Sequence, residues 1–322
     1  MIEVNFCDRS IKKFVSTPET TVGELVQKIQ QKMYLDKDIE SFGLFEAKIV
    51  DGVKIEKYLK ADDLVPKIES GGRFEFKKRF FYNDNKDDAV CTHLEFSQLR
   101  EDVNRDRYTL NERELLELAA IDLRVTFGEP DASKHKAGFL VNAKHIERLI
   151  PRSFFDKKKP EAWEKLLLDE YQRIAFDPIE SDFQGKLRYI SRLKEMQQEF
   201  FGSVFFEATQ SSTSISERVP SVIAVNRNGI HAFKKPPPPE KKGFFSKKSD
   251  DLPSQLALVK SSSFKEIQGW AILPQTNTFV YTITSSSASE GLRVEYESPV
   301  AADIPDVCQT FVQKIIAETE SE

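Results

Sequence analysis

The stretch VPSVIAVNRNGIHAF, residues 219–233, reads as two β-strands folded about the turn Asn226-Arg227-Asn228-Gly229. Asn-Gly pairs favour hairpin turns because both residues tolerate the left-handed backbone that such turns need. Around this hairpin lie FFGSVFFEA, SQLALV, EIQGWAIL, NTFVYTI and GLRVEYE, all short and rich in β-branched or aromatic residues. The chain then ends in an amphipathic segment, Ala302 to Glu318, with Val307, Phe311, Val312 and Ile315 on one face. Seven strands closed by one helix are therefore expected over residues 199–319.

Working back, residues 88–198 change character. Leu94, Leu99 and Val103 mark one helix. Asn111 caps a second, ERELLELAAIDLRVTF, whose apolar stripe is Leu115, Leu118, Ala119 and Leu123 and which ends at Gly128 and Pro130. HIERLI, AWEKLLLDEYQRI and SDFQGKLRYISRLKEMQQ repeat the helical period. A helical bundle is predicted. Residues 1–80 form a third zone. Ile2, Val4 and Phe6 alternate, Cys7-Asp8-Arg9-Ser10 turns the chain, and Thr21 with Glu24 makes a capping box before the stripe Val22, Leu25, Val26, Ile29 and Met33. SFGLFEAKIV and Phe74-Glu75-Phe76, after Gly71-Gly72, add strands.

A chain of 322 residues exceeds one compact core, so several domains are expected. Its net charge of −5 gives no global field for nucleic acid, so none is expected as a partner. Three scattered cysteines, Cys7, Cys91 and Cys308, suit neither a disulfide framework nor zinc, and point to a reducing compartment. The chain has no run of eighteen apolar residues and starts without a signal-peptide core, so a cytoplasmic protein is predicted, with membrane contact only peripheral. Phosphate loops, nucleophile elbows, zinc-protease helices and kinase signatures are all missing. His93, His135, His145 and His231 have no partners at ligand spacing. No enzyme, cofactor or metal is expected.

Charge is concentrated locally. Residues 234–248 hold six lysines against one glutamate, with Phe244 and Phe245 among them and a four-proline run that cannot continue a sheet. A disordered insertion, 234–253, is predicted. It could meet anionic lipid through Lys241, Lys242, Lys247 and Lys248, present its prolines to a proline-recognising domain, or simply aid solubility. Lys77, Lys78 and Arg79 form another patch, Lys134 and Lys136 with His135 a further one, and Lys157, Lys158 and Lys159 a last. Each is a candidate lipid contact or an ordinary solvated surface.

An α/β zone, a helical zone and a strand-rich zone resemble, in that order, a FERM cloverleaf of ubiquitin-like, acyl-CoA-binding-protein-like helical and PH/PTB-like lobes. The lobe limits would be 1–80, 88–198 and 199–319. Local strings are similar to talins: Phe42-Gly43-Leu44-Phe45, Lys78-Arg79-Phe80-Phe81-Tyr82-x-Asp84, Phe127-Gly128 with Lys134-His135-Lys136-x-Gly138-Phe139-Leu140, Lys186-x-Arg188-Tyr189, and Ile267-x-x-Trp270-Ala271. FERM tails of unconventional myosins share the layout. The resemblance implies a cytoskeletal adapter at the cell cortex, joining phosphoinositide-containing membrane and NPxY-like receptor tails to actin-linked proteins. Gln268, Gly269, Trp270, Ala271 and Ile272 would line the peptide groove by strand addition. Within the last lobe the chain departs from talins: Gly269 replaces a basic residue, and ATQSSTSISERVP lacks the lysines talins carry there. Trp270 could instead be a core residue of the sandwich.

Overall fold

The structure, a computed structural model, describes residues 1–82, 87–174, 181–212, 215–237, 255–284 and 291–321. The chain opens with β1 (Ile2–Phe6) and β2 (Ile11–Phe14), antiparallel about a turn in which Arg9 takes φ 70°. Helix α1 (Val22–Met33) begins at the Thr21 capping box and buries Val22, Leu25 and Ile29. Three strands follow: β3 (Phe42–Val50), β4 (Val53–Tyr58) and β5 (Gly72–Lys78). The sheet order is β2-β1-β5-β3-β4, with β1 parallel to β5 so that Val4 faces Phe74 and Phe6 faces Phe76. These residues and the α1 face make one core. Each large apolar side chain buried there contributes roughly 1.5–3 kcal/mol.

The helical zone comprises α2 (Ala89–Asn104), α3 (Glu112–Phe127), the short turns α4 (Phe139–Asn142), α5 (Ile146–Leu149) and α6 (Arg152–Phe155), then α7 (Pro160–Arg173) and α8 (Asp182–Met196). Asn111 caps α3 as expected, in a capping box with Glu114. HIERLI makes only one turn. Pro151 drives Ile150 into an extended conformation (φ −111°, ψ 116°), which stops the helix.

The last zone holds β6 (Val204–Ser212), β7 (Ile215–Asn226), β8 (Gly229–Lys234), β9 (Ala257–Ser262), β10 (Ile267–Leu273), β11 (Thr278–Ile283), β12 (Leu292–Glu297) and α9 (Asp303–Ser321). All seven strands form one sheet, ordered β10-β11-β12-β6-β7-β8-β9. The hairpin at Asn226 and Gly229 needs its glycine: φ is 138°, and a Cβ there would lie 2.1 Å from the Ser262 carbonyl oxygen. α9 buries Ile304, Val307, Cys308 and Phe311. Lys234, expected in the insertion, is the last residue of β8, and the Lys235 N–H donates to the Pro220 carbonyl at 2.9 Å.

The chain divides into two compact units, Met1–Phe45 with Leu59–Phe201 and Glu46–Tyr58 with Gly202–Glu322. In the second, the Tyr58 N–H donates to Asp303 Oδ2 at 3.0 Å, tying the end of β4 to the start of α9.

Candidate docking edge and cationic surfaces

In the second unit, β10 is an outermost strand, hydrogen-bonded on one side to β11. Trp270 sits opposite Tyr281, Ala271 opposite Val280 and Ile272 opposite Phe279, and the register shifts between Ile267 and Gly269. Among the described residues no strand pairs with the other side of β10, so that side keeps backbone donors and acceptors unmatched within the sheet. Gln268, Gly269 and Ala271 are exposed; Ile267, Trp270 and Ile272 are half-buried. Trp270 is thus outside the fully buried core, its ring edge-on to Phe264 at 6.3 Å. A Cβ built on Gly269 meets nothing within 4 Å. α9 packs beside this strand.

In the first unit the basic clusters separate. Lys77 is half-buried, its ammonium 4.6 Å from the Phe45 ring centre. Lys78, expected at a lipid surface, has no exposed side-chain area. Its ammonium lies 2.7 Å from Glu95 and 3.0 Å from Asp38. The Gln98 side chain accepts from the Lys78 N–H and donates to its carbonyl, both at 2.8 Å. Burial acts to lower the Lys78 pKa, but the carboxylates of Glu95 and Asp38 outweigh it and the net shift is upward. Arg79 is also buried, its guanidinium over the Phe80 ring at 4.8 Å. The strand period explains the burial of Lys78. The strand period carries Phe74, Phe76 and Lys78 to the core face, and Phe80 continues inward beyond the strand end. That alternation was the sequence signal against a surface role.

The Lys134–Leu140 loop behaves differently. The buried Glu164 carboxylate accepts from the N–H groups of Gly138 (2.7 Å), Leu140 (2.6 Å) and Val141 (3.2 Å), clamping the start of α4. His135 turns inward, its Nδ1 accepting from the Asp131 N–H at 3.0 Å and its ring 4.7 Å from Phe139. Lys134 and Lys136 on either side are exposed. Lys134 pairs with Asp131 at 3.3 Å, and hydrogen bonds from Ser133, followed by Lys134, hold the Asp131 pKa down at about 2. In the last basic run, Lys157 and Lys159 are exposed, while Lys158 bonds Glu112 at 2.6 Å.

Lys241, Lys242, Lys247 and Lys248 lie outside the described residues, as does Asp84. Among the described residues no group of three or more His, Cys, Asp or Glu is placed to hold a metal ion, and no helix is long and apolar enough to cross a membrane. Sequence reasoning missed a cleft of about 520 Å³ lined by Arg9, Arg73, Arg100, Arg105 and Arg148. Its residues come from segments spread over much of the unit, so no local pattern announces it.

Comparison with known proteins agrees with this architecture. Residues 82–206 match the FERM central domain. FERM domain-containing protein C of Dictyostelium discoideum is 28% identical over 193 residues, 59% of this chain and 12% of that protein. Talin-B of the same organism is 23% identical over 71% of this chain and 8% of its own length. The chain therefore matches only a small part of either relative. The MyTH4-FERM MF2 domain of Dictyostelium discoideum myosin VII (mutant 1) superposes with a TM-score of 0.70 at 17% identity, covering 97% of this chain and 60% of that one. The fold is the multilobed α+β FERM fold; residues 82–206 match the FERM central domain, and talins are among the chain's sequence relatives.

Proposed function

We propose that the chain is a non-enzymatic adapter of three lobes, 1–80, 88–198 and 199–319, which docks a short extended peptide on β10 and an anionic, phosphoinositide-bearing membrane through loop lysines. The open side of β10 carries this reading. A guest strand would find unmatched backbone groups there, and exposed Gln268, Gly269 and Ala271 beside half-buried Trp270 and Ile272 would contact its side chains. NPxY-like receptor tails are the proposed peptides, and actin-linked proteins the proposed further partners. Lys134 and Lys136 are the lipid contacts retained from the described residues, with Lys77 beside the first sheet; Lys241, Lys242, Lys247 and Lys248 remain candidates on sequence alone. The test is titration of a fluorescent NPxY peptide against wild type and Trp270→Ala. Loss of about tenfold or more in affinity, as expected for removing a central aromatic anchor, supports the reading; equal binding, or none by either protein, rejects it.

The runner-up reading gives the same edge to the cargo of an unconventional myosin. Its observation is the fold shared with the myosin VII FERM portion along nearly the whole chain. A motor domain encoded upstream in the same reading frame would decide for it.

A further inference from the structure

The missed cleft lies within the first unit, between the β1 and β5 side of the sheet and helices α2, α3 and α5. Its charges pair unequally. Arg73 bonds Glu75 at 2.6 Å, Arg100 bonds Asp122 at 3.1 Å, and Arg105 lies 3.9 Å from Glu101. Among the described residues these three acids are the only ones lining the cleft. Arg9 and Arg148 also line it, and among the described residues neither guanidinium has a hydrogen bond or ion pair, leaving an excess of two positive charges.

These two cations are held close to like charge. Burial first, then the fields of Arg9 and Arg100, lower the Arg148 pKa; Asp122 alone opposes them. Arg9 sits at φ 70°, a backbone region costly for a side chain of its size, on a turn pinned to α2 by the Asp8–His93 contact at 3.1 Å. The cleft also contains a polar atom with no partner. The Ser97 hydroxyl is buried, lines the cleft, and has no hydrogen bond among the described residues. A buried hydroxyl left unbonded costs about 1–3 kcal/mol.

We propose that this cleft binds a small organic phosphate monoester, with Arg9 and Arg148 gripping the phosphate and Ser97 bonding the ligand. A phosphate monoester carries close to two negative charges on one centre, which matches the cationic excess, and its oxygens suit the guanidinium fork. A volume of about 520 Å³ exceeds what inorganic phosphate fills and falls in the range of organic-ligand pockets. The ester could be a soluble metabolite or a lipid headgroup. This site shares no residue with the lysine surfaces proposed above.

Calorimetric titration of the full chain with glucose 6-phosphate tests the soluble source. Sedimentation with phosphatidylcholine vesicles doped with phosphatidic acid tests the lipid one. Wild type is expected to bind one of these probes, and Arg9→Ala/Arg148→Ala to lose about tenfold or more of that affinity. Both arginines are exposed, so the fold should survive, as a thermal melt would show. Lys134→Ala/Lys136→Ala should bind glucose 6-phosphate as wild type does, which separates this site from the loop lysines. The proposal is overturned if wild type binds neither probe, if the arginine pair makes no difference, or if the lysine pair abolishes glucose 6-phosphate binding.

Discussion

Lys77-Lys78-Arg79 and Lys134-His135-Lys136 are both short basic runs next to aromatic residues, yet the first unit treats them oppositely. The first run ends a strand, where every second residue faces the core, so Lys78 is drawn inward and must bring Asp38 and Glu95 with it. The second run sits on a loop clamped by Glu164, which turns His135 inward and leaves the flanking lysines in water. A cation's neighbours in sequence say little about its exposure; the backbone period beneath it decides.

Lys78→Met should break the first half of this contrast with the largest effect. It strands two acidic side chains beside an apolar group, and loss of one partner of a buried ion pair costs about 3–5 kcal/mol, measurable by urea unfolding. Vesicle binding per folded molecule should not change; a fall would return Lys78 to the membrane surface. The pair also predicts alkaline behaviour. Because the folded Lys78 pKa is raised above 10.5, its contribution is complete below that value and is lost as pH climbs through the higher folded value. Wild-type stability followed into that range should decline more steeply than that of Lys78→Met.

The second half is tested by Glu164→Ala, which removes the acceptor for three backbone N–H groups. A loss of about 1–3 kcal/mol is expected, together with weaker vesicle binding as Lys134 and Lys136 lose their fixed position. Unchanged stability would mean that the clamp does not hold the loop. The smallest effect should come from Lys134→Ala and Lys136→Ala. Stability should move by no more than about 0.5 kcal/mol, while affinity for anionic vesicles falls by about 1 kcal/mol per lysine in a cosedimentation assay at low salt. Insensitivity to both changes would remove this loop from the lipid surface.

The two units also differ in how far their sites could be read. The β10 strand with its aromatic was legible locally, and the resemblance to talins marked it as a docking strand, but its place at the border came from the sheet order. The arginine cleft was not legible at all. Its two unpaired cations come from a β-turn and a single helical turn that are 139 positions apart, as their numbers, 9 and 148, show. Only the sheet packing against the bundle brings them to one wall.

The amino-acid sequence alone determined the order of the three zones, the capping boxes at Thr21 and Asn111, the hairpin at Gly229 and the seven strands closed by a helix, because each follows from periodicity and turn chemistry within a few residues. It also held the alternation Phe74, Phe76, Lys78 that sends the lysine inward. The tertiary structure alone decided which carboxylates meet that lysine, which strand is left at the border of the sheet, and which arginines go without a partner. Those outcomes depend on contacts between segments far apart in the chain, and electrostatic pairing falls off too quickly with distance to be inferred before the segments are placed.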